Sequence, residues 1–85
     1  MLTVDVIETV LETAPYKGFV YRMRETHAGV LLYRVPEDKL WWTHGVIRQV
    51  YDPHQGAFVI STRVSSALKL NLPSREEALA VIERQ

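Results

Sequence analysis

Residues 45–64 read GVIRQVYDPHQGAFVISTRV. Two runs rich in β-formers, Val46–Tyr51 and Ala57–Val64, flank the cluster Asp52-Pro53-His54-Gln55-Gly56. Proline presets φ for a turn, aspartate bonds the backbone ahead of it, and glycine tolerates positive φ. The stretch therefore predicts a β-hairpin. Register decides what that hairpin presents, because a one-residue slip moves every side chain to the other face. Pairing Tyr51 with Gly56 puts Ile47, Tyr51, Phe58 and Ile60 on one face, and Val46, Arg48, Val50 and Val59 on the other. Pairing Tyr51 with Ala57 moves Arg48 onto the side of Val50, Phe58 and Ile60. The first register is preferred, since it keeps Arg48 off the large apolar side chains.

Upstream, Phe19, Tyr21 and Met23 alternate with Val20, Arg22 and Arg24, and Val30–Val35 is again β-rich. The segment Glu25-Thr26-His27-Ala28-Gly29 between them predicts a first hairpin with a loop of about four or five residues. Phe19, Tyr21 and Met23 are expected to face the core. Arg22 and Arg24 then face away, and Arg34 is expected to join them. Pro36-Glu37-Asp38-Lys39 carries a helix-start signal over a length that suits a single turn. In Trp41-Trp42, extended chain sends consecutive side chains to opposite sides, so one enters the core and the other meets the surface or an edge.

The two ends of the chain are read as helices. In Thr3–Ala14, the positions Val4, Ile7, Leu11 and Ala14 follow one helix face, with Asp5, Glu8 and Glu12 largely opposite and Pro15 ending the run. The competing reading is a strand, from the alternation of Leu2, Val4 and Val6 and the many β-branched residues. Helix is preferred. At the other end, Ser74-Arg75-Glu76-Glu77 is a capping box, and Ala78, Leu79, Val81 and Ile82 form the apolar stripe of a helix running to about Arg84. The expected architecture is α+β: one small domain over residues 1–85, a four-stranded antiparallel meander of two hairpins, packed on one face by an N-terminal and a C-terminal helix.

Composition bounds the function. Of the 85 residues, 47% are hydrophobic, which argues against intrinsic disorder. There is no cysteine, so neither a disulfide framework nor a thiolate metal site arises, and a reducing cytoplasm is the expected setting. No apolar run approaches the roughly 18 residues of a membrane span. Formal charge is zero, yet it is segregated: residues 1–16 hold three acids and no base, while residues 17–71 hold eight bases and four acids.

His27, His44 and His54 show no metal-ligand spacing, and no catalytic or phosphate-binding motif surrounds the serines or glycines. No enzymatic activity, cofactor or metal is expected. The candidate partner-binding residues are Arg22, Arg24, Arg34, Arg48, Trp41, Trp42 and Tyr51, because Trp, Tyr and Arg dominate binding hot spots. They predict a non-enzymatic protein-binding module, through a protein partner or self-association as a homodimer. An Arg-rich sheet face also suits nucleic acid. The near-neutral charge weighs against that alternative, since such domains are strongly basic. The plan of hairpins followed by a Ser-x-x-Glu capped helix resembles small bacterial and phage proteins, including phage proteins that block host defences. That resemblance implies a small regulator or inhibitor of phage or mobile-element type.

Overall fold

The computed structural model describes residues 4–7, 10–39, 48–61 and 70–85; of residues 4–7, 39, 48 and 61 it describes the backbone alone. The strands are β1 (Val4–Ile7), β2 (Val10–Thr13), β3 (Phe19–Thr26), β4 (Gly29–Pro36), β5 (Arg48–Asp52) and β6 (Ala57–Ser61). Among the described residues they form one six-stranded antiparallel sheet in sequence order. A 3-10 turn spans Glu37–Lys39, and the one α-helix of the described residues, α1, spans Arg75–Glu83. The radius of gyration is 11.8 Å, close to the roughly 12 Å of a single globule of this length.

The expected N-terminal helix is absent: Val4–Ile7 and Val10–Thr13 are strands, so the sheet has six strands and not four. The reason lies across the sheet. Glu12 pairs in register with Arg22, and its carboxylate lies 2.6 Å from the Arg22 Nε. Thr13, 3% exposed, accepts the Tyr21 backbone N–H at its Oγ1. The acidic start of the chain is thus laid beside the basic strand β3. β-Branched side chains suit such a pleated, half-buried surface.

Two tight turns build the centre. Tyr16 and Phe19 exchange backbone hydrogen bonds of 2.8 and 3.1 Å around Lys17 and Gly18. Both central residues have positive φ, 51° and 87°, the pattern a type I′ hairpin turn requires. At the β3–β4 tip, Thr26 pairs with Gly29, so the loop is two residues, His27 and Ala28, and shorter than expected. Thr26 Oγ1 accepts the Ala28 N–H and donates to the Gly29 carbonyl. The 3-10 turn is tied back by the Glu37 N–H, which donates to the Gly18 carbonyl at 2.9 Å.

The second hairpin has the expected turn chemistry in a different register. Tyr51 pairs with Phe58 and Asp52 with Ala57. This is a two-residue shift from the preferred pairing, so the division of faces is kept: Tyr51, Phe58 and Ile60 share one side, Val50 and Val59 the other. Asp52 Oδ1 accepts the His54 N–H at 2.8 Å, and the Asp52 carbonyl accepts the Gly56 N–H at 2.8 Å.

Helix α1 starts where the capping box places it. Ser74 is extended (φ −153°, ψ 166°) and its hydroxyl accepts the Glu77 N–H. Ala78, Val81 and Ile82 are fully or almost fully buried against Leu11, Tyr21, Met23, Val30 and Leu32. Arg75 pairs with Glu25 at the far end of β3, and Lys17 Nζ donates to the Gln85 carbonyl at the near end. The helix therefore runs back along β3. The expected architecture packs helices on one face of the sheet only. On the opposite side, the central positions Val20, Tyr33, Val35 and Val50 are 2–6% exposed, so the sheet is buried on both sides.

Candidate functional site

Arginine placement follows from the β3–β4 register. Arg22 lies opposite Tyr33 and Arg24 opposite Leu31, while Arg34 lies opposite Tyr21. Directly opposed residues share a face. Arg34 is therefore on the helix side of the sheet, and Arg22 and Arg24 are on the other. The expected continuous face of the three arginines is not there. The two-residue loop explains this. A five-residue loop over Glu25–Gly29 would have set Arg24 against Val30, and that one-position slip would have put Arg34 beside Val20.

The remaining candidates separate further. Arg22 is half-buried and paired with Glu12; Arg24 is exposed on the same side. Tyr51 is 8% exposed and belongs to the core, its ring edge-on to Phe58 at 5.2 Å. Arg48 begins β5 opposite Ser61 and is described at its backbone only. Trp41 and Trp42, like His44 and Arg63, lie outside the described residues.

What the structure does assemble is a built setting for Arg34. A row crosses the sheet on the helix side, from Tyr21 to Arg34 to Gln49 to Ile60. Exposure rises along it from 0% at Tyr21 to 68% at Ile60. The Arg34 Cζ lies 3.9 Å from the Phe19 ring centroid and 4.1 Å from that of Phe58. Its Nε donates to Gln49 Oε1 at 2.6 Å, and its Nη1 to the Tyr21 hydroxyl at 3.3 Å. Stacking of this kind is worth about 0.5–2 kcal/mol, more as water is excluded. So two rings, a phenol and an amide fix the guanidinium, and each is neutral. The ion pairs of the described residues are Arg22–Glu12 and Arg75–Glu25. Arg34 is half-buried without a carboxylate among them. A guanidinium has five N–H donors; described residues take two of them, through Gln49 and Tyr21.

Phe19, Phe58 and Gln49 belong to this setting and were not among the sequence candidates. The alternation Phe19, Tyr21, Met23 signalled a common face. Only the cross-strand register brings Arg34 and Gln49 onto it.

The Asp52–His54 pair has a local account. Asp52 and His54 meet through the His54 backbone N–H, and Asp52 Oδ2 also accepts from Gln55 Nε2 at 3.0 Å. The carboxylate stabilises a turn. Among the described residues no group of three or more His, Cys, Asp or Glu is placed to hold a metal, and no helix is long and apolar enough to cross a membrane. No protein-family model, curated protein or solved structure matches this chain.

Proposed function

We propose that the protein is a non-enzymatic protein-binding module, a small cytoplasmic regulator or inhibitor of phage or mobile-element type, which docks an acidic partner surface over Arg34. The observation that carries this reading is the Arg34 setting: a half-buried cation held against Phe19 and Phe58, whose partners among the described residues are all neutral. Holding such a group in place lowers the ordering cost of binding. A partner carboxylate gains charge-assisted hydrogen bonds from the guanidinium donors that no described residue takes. The nucleic-acid alternative drew on a continuous arginine face, and the division of Arg22 and Arg24 from Arg34 weakens it.

The test is capture from host lysate, with and without nuclease, using the wild type, Arg34→Gln and Arg34→Glu. A protein partner that survives nuclease, falls at least about tenfold in affinity with Arg34→Gln, and is lost with Arg34→Glu is the expected result. Equal capture by all three proteins, or capture that nuclease abolishes, would sink the reading.

A further inference from the structure

We infer that β6 is the pairing edge of a symmetric dimer, in which β6 of a second copy adds antiparallel across a two-fold axis at Val59. This goes beyond the Arg34 reading and rests on different residues. β6 is one of the two outer strands of the described sheet. Its sequence is Ala57-Phe58-Val59-Ile60-Ser61. An outer strand offers unpaired N–H and C=O groups to any extended chain, and proteins guard against this with charge, proline or glycine-marked bulges. β6 carries none of these.

Charge selects the occupant. A two-fold axis brings any charge close to it near its own copy, and an uncharged strand avoids that repulsion. Each of the other five strands holds a charged residue: Asp5 in β1, Glu12 in β2, Arg22 in β3, Arg34 in β4 and Arg48 in β5. β6 holds none. Across the proposed junction, the nearest strand charges of the two copies sit on the two β5 strands. These are three strand spacings apart, about 14 Å, which is beyond the screening length of roughly 8–10 Å at ordinary salt.

The residue pattern is self-complementary. With Val59 opposite Val59 of the second copy, Phe58 faces the second copy's Ile60, and Ile60 its Phe58. An aromatic against a β-branched residue is a favourable cross-strand pair. It covers Ile60, the exposed large hydrophobic side chain of the described residues at 68%. The two six-stranded sheets become one continuous sheet, with both Arg34 settings on the same side.

Two measurements on the full chain test this. Sedimentation equilibrium should show a concentration-dependent rise from 9.8 kDa to twice that mass. Ile60→Lys should hold the chain at the monomer mass, and Arg34→Gln should leave the dimer intact. The chain has no cysteine, so single introduced thiols report the register. Directly opposed residues have Cα atoms about 4.5–5.5 Å apart, within disulfide reach. Residues 57 of the two copies would be roughly 14 Å apart along the strands. Val59→Cys should therefore cross-link to a dimer on mild oxidation while Ala57→Cys stays monomeric. A monomer at every concentration, or equal cross-linking at 57 and 59, would overturn the inference.

Discussion

At Gly29 φ is +126°, and a Cβ built there would lie 2.4 Å from the Leu72 carbonyl oxygen. That oxygen accepts the Val30 N–H at 2.8 Å, and the Leu72 N–H donates back to Val30 at 2.7 Å. This two-bond bridge clamps the segment before α1 onto β4, so the clash is with backbone that has nowhere to move. Gly29→Ala should cost about 2–4 kcal/mol, from the left-handed backbone and the broken bridge together, read as a lower urea midpoint with unchanged slope. Lys17 presents the opposite case. It is a side-chain-bearing residue at φ 51° in the first position of its turn, where asparagine is the preferred occupant. Lys17→Asn should raise stability by about 0.5–1 kcal/mol; a lower melting temperature would show that the Lys17 contacts to Tyr16 and the Gln85 carbonyl outweigh the strain. Residues whose work is done within three positions were legible in the sequence. Asp52 bonds residue 54 and Ser74 bonds residue 77. Arg34 was not, because its side depends on pairing with a residue 13 positions away.

Elements divide in the same way. The helix α1 was readable because its cap, its stripe and its end all lie within Ser74–Arg84. The segment 3–14 carried an apolar spacing that fits either a helix face or a strand pair, and its local sequence does not separate the two. Contacts made by β3 separate them. Thr13 is the residue on which this turns: buried, with its hydroxyl accepting the Tyr21 N–H at 3.2 Å. Thr13→Val keeps the shape and β-propensity but leaves that buried N–H without an acceptor. The expected cost is about 1–3 kcal/mol, and Thr13→Ser should recover part of it. In a helix ending at Pro15 the valine would be nearly neutral, so equal melting temperatures for Thr13→Val and wild type would argue against the strand. The Glu12–Arg22 pair adds little to this balance. Its side chains are 24% and 32% exposed, and ion pairs open to solvent contribute at most about 1 kcal/mol. Its use is to set register, since a one-position slip would bring Glu12 out of line with Arg22.

The whole molecule is a sheet with two separate apolar layers. On one side the α1 residues Ala78, Val81 and Ile82 join Leu11, Tyr21, Met23 and Leu32 in a single cluster. On the other, Val20, Tyr33, Val35 and Val50 are 2–6% exposed and belong to no part of that cluster. A sheet covered on both sides reads as near-continuous apolar runs, and Val30–Val35, VLLYRV, is such a run with Arg34 as its interruption. That interruption now has a physical account: Arg34 lies at the margin of the helix-side layer, where aromatic rings hold it. For a chain of 85 residues, total stability is expected near 4–13 kcal/mol. Two buried layers therefore have to be counted separately, and a double-mutant cycle does so. Val35→Ala and Val81→Ala each remove two buried methyl groups, and each should cost about 1.5–3 kcal/mol once the cavity is included. Because the backbone of the sheet separates the two sites, their costs should add within roughly 0.5 kcal/mol. Ile82→Val and Met23→Leu, both inside the helix-side cluster, share neighbours and should couple more strongly than that. Urea unfolding of the single and double variants gives both comparisons. Coupling above about 1 kcal/mol between Val35 and Val81 would mean that the layers respond as one core, and the outer side of the sheet would then depend on the seating of α1.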